Sequence, residues 1–336
     1  VFDGLVKRQR GVVARWQALA GGYTRSAIEK RLTSGRWQRL ANGVYATSPG
    51  RLGRLAEFWA AVLAAGSGAM LSHHSAAEIL GLTAGGIGPI HVTVPAGRHP
   101  QWMPGVVIHR SRRAAWIRHP NRSPPQTRAE ETVLDLWEVA ADLDEALGWV
   151  AVACGRAATS PERLSLALQS RLRVRWRAEL MAALRDVETG CRSLLELRYL
   201  RDVERAHGLP EGERWPCGSR ALREARPPEE VSRGTVLYPA FGTSVHLGDA
   251  DPEPEEDDAD QATIRVVESL RELLPPGAVP AREIDETLQG RVLRYADAEV
   301  LERPCDVADQ VAATLRRHGW RRHPRRCSPS CGALTP

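Results

Sequence analysis

One stretch, Val12 to Thr47 (VVARWQALAGGYTRSAIEKRLTSGRWQRLANGVYAT), constrains the fold more than any other part of the chain. It reads as helix, tight turn, helix and hairpin. Ala14 to Ala20 makes the first helix, with Ala18 and Leu19 turned inward. Gly21-Gly22 breaks it, as a sharp inter-helix turn requires. Thr24 stands at the N-cap of the next helix, its hydroxyl free to accept from an orphan N–H. Arg25 to Ser34 is the second helix, and Ile28 with Leu32 gives it a narrow apolar stripe. Gly35 ends it. Trp37–Leu40 and Val44–Ala46 are short β-prone runs joined around Asn42-Gly43, a strong two-residue hairpin signal. Leu5 to Gln9 supplies a bracing helix in front. This order is the outline of a winged helix-turn-helix, with the hairpin as the wing.

Charge supports the same reading. Residues 1–58 hold eleven Lys or Arg against three Asp or Glu. Over the whole chain the charge is uneven: residues 1–100 carry net +8, residues 101–190 carry +2, and residues 191–336 carry −5. A compact basic front end is suited to phosphate contacts and major-groove entry. Arg25 and Lys30 are the candidates for base-edge contacts. Thr24, Ser26, Arg31, Arg36 and Arg39 are the candidates for phosphate contacts, with the Arg39–Tyr45 wing on the backbone or in the minor groove.

Behind this module, Arg54–Ala65 reads as a helix with Leu55, Trp59, Val62 and Leu63 on one side. Leu71–Leu80 reads as another, capped by Ser72. His73 and His74 are adjacent on it, so they do not share a ligand, and packing or capping suits them better than metal binding. Ile90–Val94 and Val106–His109 read as a small antiparallel pair. Helices follow at Arg128–Ala140, at Asp144–Gly155 and at Pro161–Gln169, with Val133, Leu134 and Trp137 as the buried side of the first and Glu130 and Glu131 in its dipole-favoured first turn. Residues 51–185 are thus a mostly helical middle domain with a small sheet. They contain no recognisable catalytic constellation.

A second landmark is CRSLLELRYLRDVERAHGLP, residues 191–210. Ser193 and Glu196 form a capping box, and Leu194, Leu197, Leu200 and Val203 follow at helical spacing until Gly208 and Pro210 stop the helix. Residues 211–234 show no periodicity and read as disordered. Val236–Tyr238, Thr243–Leu247 and Arg291–Tyr295 are strand candidates. Asp249 to Asp260 places eight acids in twelve residues, a self-repelling loop rather than a metal site. Gln261–Leu274 and Cys305–His318 read as helices, the latter with Val307, Val311 and Leu315 inward. Residues 321–336 form a basic, frayed tail. Cys327 and Cys331 with His318 and His323 fit no standard zinc spacing, so no metal site is expected. The six cysteines are scattered, which fits reduced thiols in a cytoplasmic protein. There is no apolar run long enough for a membrane span, and the N-terminus does not read as a signal peptide.

Two parts of the chain resemble known families. GYTRSAIEKRLTSGRWQRLANGVYAT resembles the N-terminal winged-helix domain of AbiEi-type antitoxins of type IV toxin–antitoxin systems. SLLELRYLRDVERAHGLP, LYPAFG and VLRYADAEVLERPCDVADQVAATLRRHGW resemble a Vsr-like (very-short-patch-repair-like) endonuclease domain of the PD-(D/E)XK type, often attached to that module. The resemblance implies an α+β multidomain protein: winged helix at 1–50, middle domain at 51–185, and a restriction-endonuclease-like domain at 186–320 with a degenerate centre. Such nucleases hold Mg²⁺ between carboxylates. Glu196 matches the family's helix Glu. The family's strand Asp falls on Thr235, and its acidic pair falls on His246 and Gly248. Asp249 is one residue late, on the wrong face of a strand unless a bulge intervenes. Glu196, Asp249 and Asp251 are therefore a vestigial catalytic set.

The combined expectation is a DNA-binding regulator, antitoxin-like, with double-stranded DNA as partner and a cognate toxin or its operon as context. No cofactor is expected. The enzyme reading, a Mg²⁺-dependent nicking endonuclease targeted by the winged helix, is the rival. A third reading is an interaction protein whose acidic 249–260 loop mimics nucleic acid.

Overall fold

The computed structural model describes residues 2–86, 88–100, 103–215, 234–238, 243–248, 292–329 and 331. The protein is α+β and divides into two compact units, one of Val1–Trp149 with Ala158–Arg175, the other of Val150–Ala157 with Trp176–Pro336.

The first unit begins α1 (Phe2–Arg8), β1 (Val12–Ala14), α2 (Arg15–Ala20), α3 (Arg25–Thr33), β2 (Gln38–Ala41) and β3 (Val44–Ala46). The strands form a three-stranded antiparallel sheet in the order β1-β3-β2. Strand alternation divides its residues between two cores. Val13 and Tyr45 face Ala18, Ile28 and Trp37, with Phe2, Tyr23 and Leu32 packed against them. Val12 and Val44 face the next helix, α4 (Arg54–Ala65), through Ala56, Trp59 and Ala60. An aromatic row, Phe2–Tyr23–Trp37–Tyr45, has ring separations of 5.0, 5.2 and 6.0 Å.

Two expectations fail in these helices. Leu19 is exposed, because α2 starts at Arg15 and is anchored by buried Gln17, whose Oε1 accepts the Ala14 N–H at 2.8 Å; Ala18 then faces in and Leu19 out. Leu55 is also exposed, because α4 serves two cores at once. Ala56, Trp59 and Ala60 face the first sheet, while Phe58, Ala61, Val62 and Ala65 face a second.

That second sheet has the order β4-β5-β6, from β4 (Met70–Leu71), β5 (Ile90–Pro95) and β6 (Val106–Ser111). β5 and β6 are parallel, not antiparallel as expected. The Ile90 N–H donates to the Gly105 carbonyl, and the Ala96 N–H to that of Ser111. Residues 96–105 thus carry the chain back to the start of β5 before β6 begins. The remaining helices are α5 (His73–Ile79), α6 (Ala114–Ile117), α7 (Ala129–Val139), α9 (Pro161–Gln169) and the start of α8 (Leu143–Gly155), whose residues from Val150 on belong to the second unit. Ser72 does not cap α5 through its side chain. Its hydroxyl instead receives Thr93 at 2.8 Å and meets His73 Nδ1 at 3.0 Å.

The second unit contains α10 (Arg177–Glu188), α11 (Leu194–Arg198) continued by a π-helical segment (Tyr199–Arg205), β7 (Glu213–Trp215), β8 (Gly234–Tyr238), β9 (Thr243–Leu247), β10 (Val292–Tyr295), α12 (Asp297–Glu302) and α13 (Pro304–Arg317). The sheet order is β10-β9-β8-β7, with β10 parallel to β9 and the other pairs antiparallel. Tyr199, Val203, Val236, Val245, Val307, Val311 and Leu315 share its core. β7 lies inside the stretch expected to be disordered. The acidic 249–260 loop and the Gln261–Leu274 helix lie outside the described residues. Among the described residues, no helix is long and apolar enough to cross a membrane.

Candidate nucleic-acid interface

α3 buries one residue, Ile28, and turns Arg25, Ser26, Glu29, Lys30 and Thr33 to solvent. Its entry is set by Thr24, whose Oγ1 accepts the Ala27 N–H at 3.1 Å. The turn before it needs both glycines. Gly22 has φ +93°, and a Cβ on Gly21 would lie 2.3 Å from the Phe2 ring. The hairpin closes at Asn42-Gly43, with Gly43 at φ +71° and a register shift between Arg39 and Ala41.

The seven residues expected to contact DNA fall into two groups. Thr24, Arg25, Ser26, Lys30 and Arg36 are all exposed, and Arg25, Lys30 and Arg36 carry no ion pair among the described residues. Arg31 and Arg39 are partly committed elsewhere. The Arg31 guanidinium lies 5.0 Å from the centre of the Tyr23 ring and 5.8 Å from that of Trp37, so it braces the aromatic row. Arg39 pairs with Glu29 at 3.6 Å and lies 5.7 Å from the Tyr45 ring, which ties the wing to α3.

Of the expected nuclease set, only Glu196 lies among the described residues. Glu196 is buried and works as a cap: its Oε2 accepts the Arg192 N–H at 2.6 Å and its own N–H donates to Ser193 Oγ at 3.1 Å. Asp249 and Asp251 lie outside the described residues. Thr235 stands opposite His246 across the β8–β9 pair, and the Gly248 N–H donates to the Tyr295 carbonyl at 3.0 Å. Another buried carboxylate of this unit is Glu204, which no sequence reading singled out. It is ion-paired to Arg214, accepts Tyr238 Oη at 2.6 Å and accepts the Gly212 N–H at 3.0 Å; Tyr199 and Tyr238 hydroxyls meet at 3.0 Å. Burial raises the Glu204 carboxyl above its ordinary range, and Arg214 and Tyr238 pull it back.

The middle segment holds a polar cleft of about 460 Å³ whose lining includes His73, His109, Arg110, Arg113, Asp135 and Arg171. Glu131 receives Arg113 and Arg171, each at 2.6 Å, and Asp135 receives Arg171 at 2.6 Å. Nitrogens of His73, His91 and His109 lie within 4.8 Å of one another. The rings are stacked, however: His73 and His109 have centroids 3.7 Å apart and planes 14° apart. Stacked planes aim their nitrogens side by side rather than at one point, and His91 Nδ1 and His109 Nε2 already share a hydrogen bond of 3.0 Å. Burial first, and neighbouring imidazoles second, lower His73 to about 3 and His91 to about 4. Adjacent His73 and His74 concealed this cluster in the sequence, because its other members come from β5 and β6.

Among the described residues of the tail expected to be frayed, 321–329 and 331, Pro324 and Cys331 are buried. A possible metal-binding cluster exists from His207, Cys305, Cys327 and Cys331, with ligand atoms within 4.8 Å of one another. Neither His318 nor His323 belongs to it; His318 Nδ1 donates to the Thr314 carbonyl at 2.8 Å.

No protein family matches this sequence, and no curated protein matches it. Among solved structures, the RV2827C protein from Mycobacterium tuberculosis is similar at a TM-score of 0.36 and 20% identity, over 55% of this chain and 75% of that one. A likeness of that strength carries no argument about this chain.

Proposed function

We propose that residues 1–50 are a winged helix-turn-helix and that the protein is a DNA-binding regulator of double-stranded operator DNA. The observation that supports this most is the pairing of element order with exposure. A helix, strand, helix, helix and hairpin sequence surrounds a β1-β3-β2 sheet, and α3 buries only Ile28 while its open side stays basic. In this reading α3 enters the major groove. Arg25 and Lys30 reach base edges, Thr24, Ser26 and Arg36 hold phosphates, and Arg39 steadies the wing against the backbone. Arg31 acts from behind, by fixing Tyr23 and Trp37. The antitoxin resemblance makes the chain's own upstream DNA the first operator to try, with a cognate toxin as its operon context.

The test is a gel shift on that upstream DNA in EDTA and in Mg²⁺, beside an Arg25→Ala/Lys30→Ala variant. A specific shift in EDTA that the variant loses, with the DNA left intact in Mg²⁺, supports the regulator. No shift in either condition refutes it. Nicks that require Mg²⁺ and disappear in Glu196→Gln replace it with the endonuclease reading.

A further inference from the structure

We propose that His207, Cys305, Cys327 and Cys331 are the four ligands of a closed, structural Zn²⁺ site that fastens the C-terminal tail to the second unit. The spacings match a tetrahedral ion. Cys305 Sγ lies 3.6 Å from both Cys327 Sγ and Cys331 Sγ, and Cys331 Sγ lies 3.5 Å from His207 Nε2. Bond lengths of about 2.3 Å for Zn–S and about 2.0 Å for Zn–N, set at tetrahedral angles, put sulfurs about 3.7 Å apart and sulfur and nitrogen about 3.5 Å apart. A disulfide would need about 2.05 Å.

The second ring nitrogen is arranged as a metal site requires. His207 Nδ1 lies 3.1 Å from the Val203 carbonyl, to which it can only donate, so the proton sits there and Nε2 presents its lone pair to the cysteines. His207 is fully buried, so this orientation is held by packing. Three sulfurs and one imidazole are soft and borderline ligands, which select Zn²⁺ over Mg²⁺ or Ca²⁺. Four protein ligands leave no open position for water or substrate, so the role is structural. Binding forms three Zn–S bonds and one Zn–N bond, and the three thiol protons pass to solvent.

Two neighbouring contacts support the fastening. Cys327 and Cys331 are drawn into a short turn in which the Cys331 N–H donates to the Ser328 carbonyl at 3.1 Å. Arg325, just ahead of them, closes the helix end beside His207. Its N–H donates to the His207 carbonyl at 2.8 Å, and its guanidinium reaches the carbonyls of Arg205 at 2.5 Å and Ala206 at 3.2 Å. These are carbonyls of a helix's last turn, where intrahelical donors run out. The tail therefore caps the helix and supplies two ligands to the same corner.

The experiment uses the full-length chain, purified without chelator, with elemental analysis for zinc. One zinc per chain is expected, falling at least tenfold in Cys327→Ser/Cys331→Ser and persisting in Cys154→Ser, which lies outside the cluster. The stripped protein titrated with Co²⁺ should show tetrahedral d–d bands and thiolate charge-transfer absorption. A chain that carries no zinc and gives no such Co²⁺ spectrum overturns the proposal. So does zinc retained by the double variant, or a disulfide among these cysteines in non-reducing peptide maps. The outcome is independent of DNA binding.

Discussion

Lowering the pH from 7 to 5 is expected to destabilise the first unit through His73. Its ring is stacked on His109 at 3.7 Å, faces His91 at 5.6 Å, and has Ser72 Oγ at 3.0 Å and Asp135 Oδ2 at 4.0 Å. Burial, His109, His91, His74 and Arg171 together hold it near 3, against an ordinary value of 6.5. The folded pKa is the lower one, so the unfolded chain takes up the proton first. Stability is complete above 6.5, falls as the pH drops below it, and levels off only below about 3. At pH 5 the unfolded histidine is 1.5 pH units below its ordinary pKa while the folded one is still neutral, a loss of about 2 kcal/mol at about 1.4 kcal/mol per unit. Asp135 works in the opposite sense. Burial raises it to about 6, so between its ordinary 3.8 and about 6 the folded state holds the extra proton and gains stability as the pH falls. The net slope of the wild type also carries His91 and His109, which burial lowers in the same sense as His73, and comparison with His73→Asn isolates the His73 contribution. Asn tolerates the left-handed backbone of residue 73, φ +50°, and does not titrate. Urea unfolding of the first unit at pH 7 and pH 5 should show a pH-dependent loss smaller by about 2 kcal/mol in the variant. An equal loss in both proteins, or a His73 imidazole resonance that titrates near 6.5, would refute the reasoning.

Arg214→Met leaves Glu204, which has no exposed surface, as an unpaired buried acid, and is expected to cost the second unit about 3–5 kcal/mol in chemical denaturation. Adding Glu204→Gln should recover a large part of that loss. Gly21→Ala sets a Cβ 2.3 Å from the Phe2 ring, so thermal unfolding should report a loss of about 1–3 kcal/mol, and Phe2→Leu should relieve it. Arg36→Ala is expected to reduce the slope of log K against log salt by about 0.9 in fluorescence anisotropy with operator DNA, without changing which sequences are preferred.

What was legible in the sequence is local. The Thr24 and Ser193 caps, the Asn42-Gly43 hairpin and the Ile28 stripe involve partners close in sequence, the farthest being Gln38 and Ala46 across the hairpin, so residue type and spacing are sufficient. The direction of β6 was not legible. Ile90, Val92 and Val94 alternate identically whether the neighbour runs up or down, and only the return path of residues 96–105 decides it. Leu19 misled because the face turned inward carries Gln17 and Ala18, and Leu19 lies about 100° farther round the helix from Ala18. The cysteine and histidine cluster was invisible for a stronger reason. His207 and Cys331 are 124 positions apart, and ligand spacings are readable only when a site is built from neighbours.

The helix at residues 194–207 shows how the unreadable parts acquire order. Of Leu194, Leu197, Leu200 and Val203, expected at a regular helical period, the last three are buried and Leu194 only partly so, while Leu195, Tyr199, Glu204 and His207 are buried as well. Two of these, Tyr199 and Glu204, lie on the π-helical turn from Tyr199 to Arg205. Three of the added positions, Tyr199, Glu204 and His207, are polar, and each needs a partner when buried. Glu204 finds Arg214 on β7 and Tyr238 on β8. His207 finds the cysteines of the tail. These two partner segments, 213–215 and 325–331, are the ones that show no periodicity of their own. Their order comes from partners outside each segment, ten positions away for Arg214 and 124 for Cys331, so a reading that searches each window for its own pattern calls both of them loops.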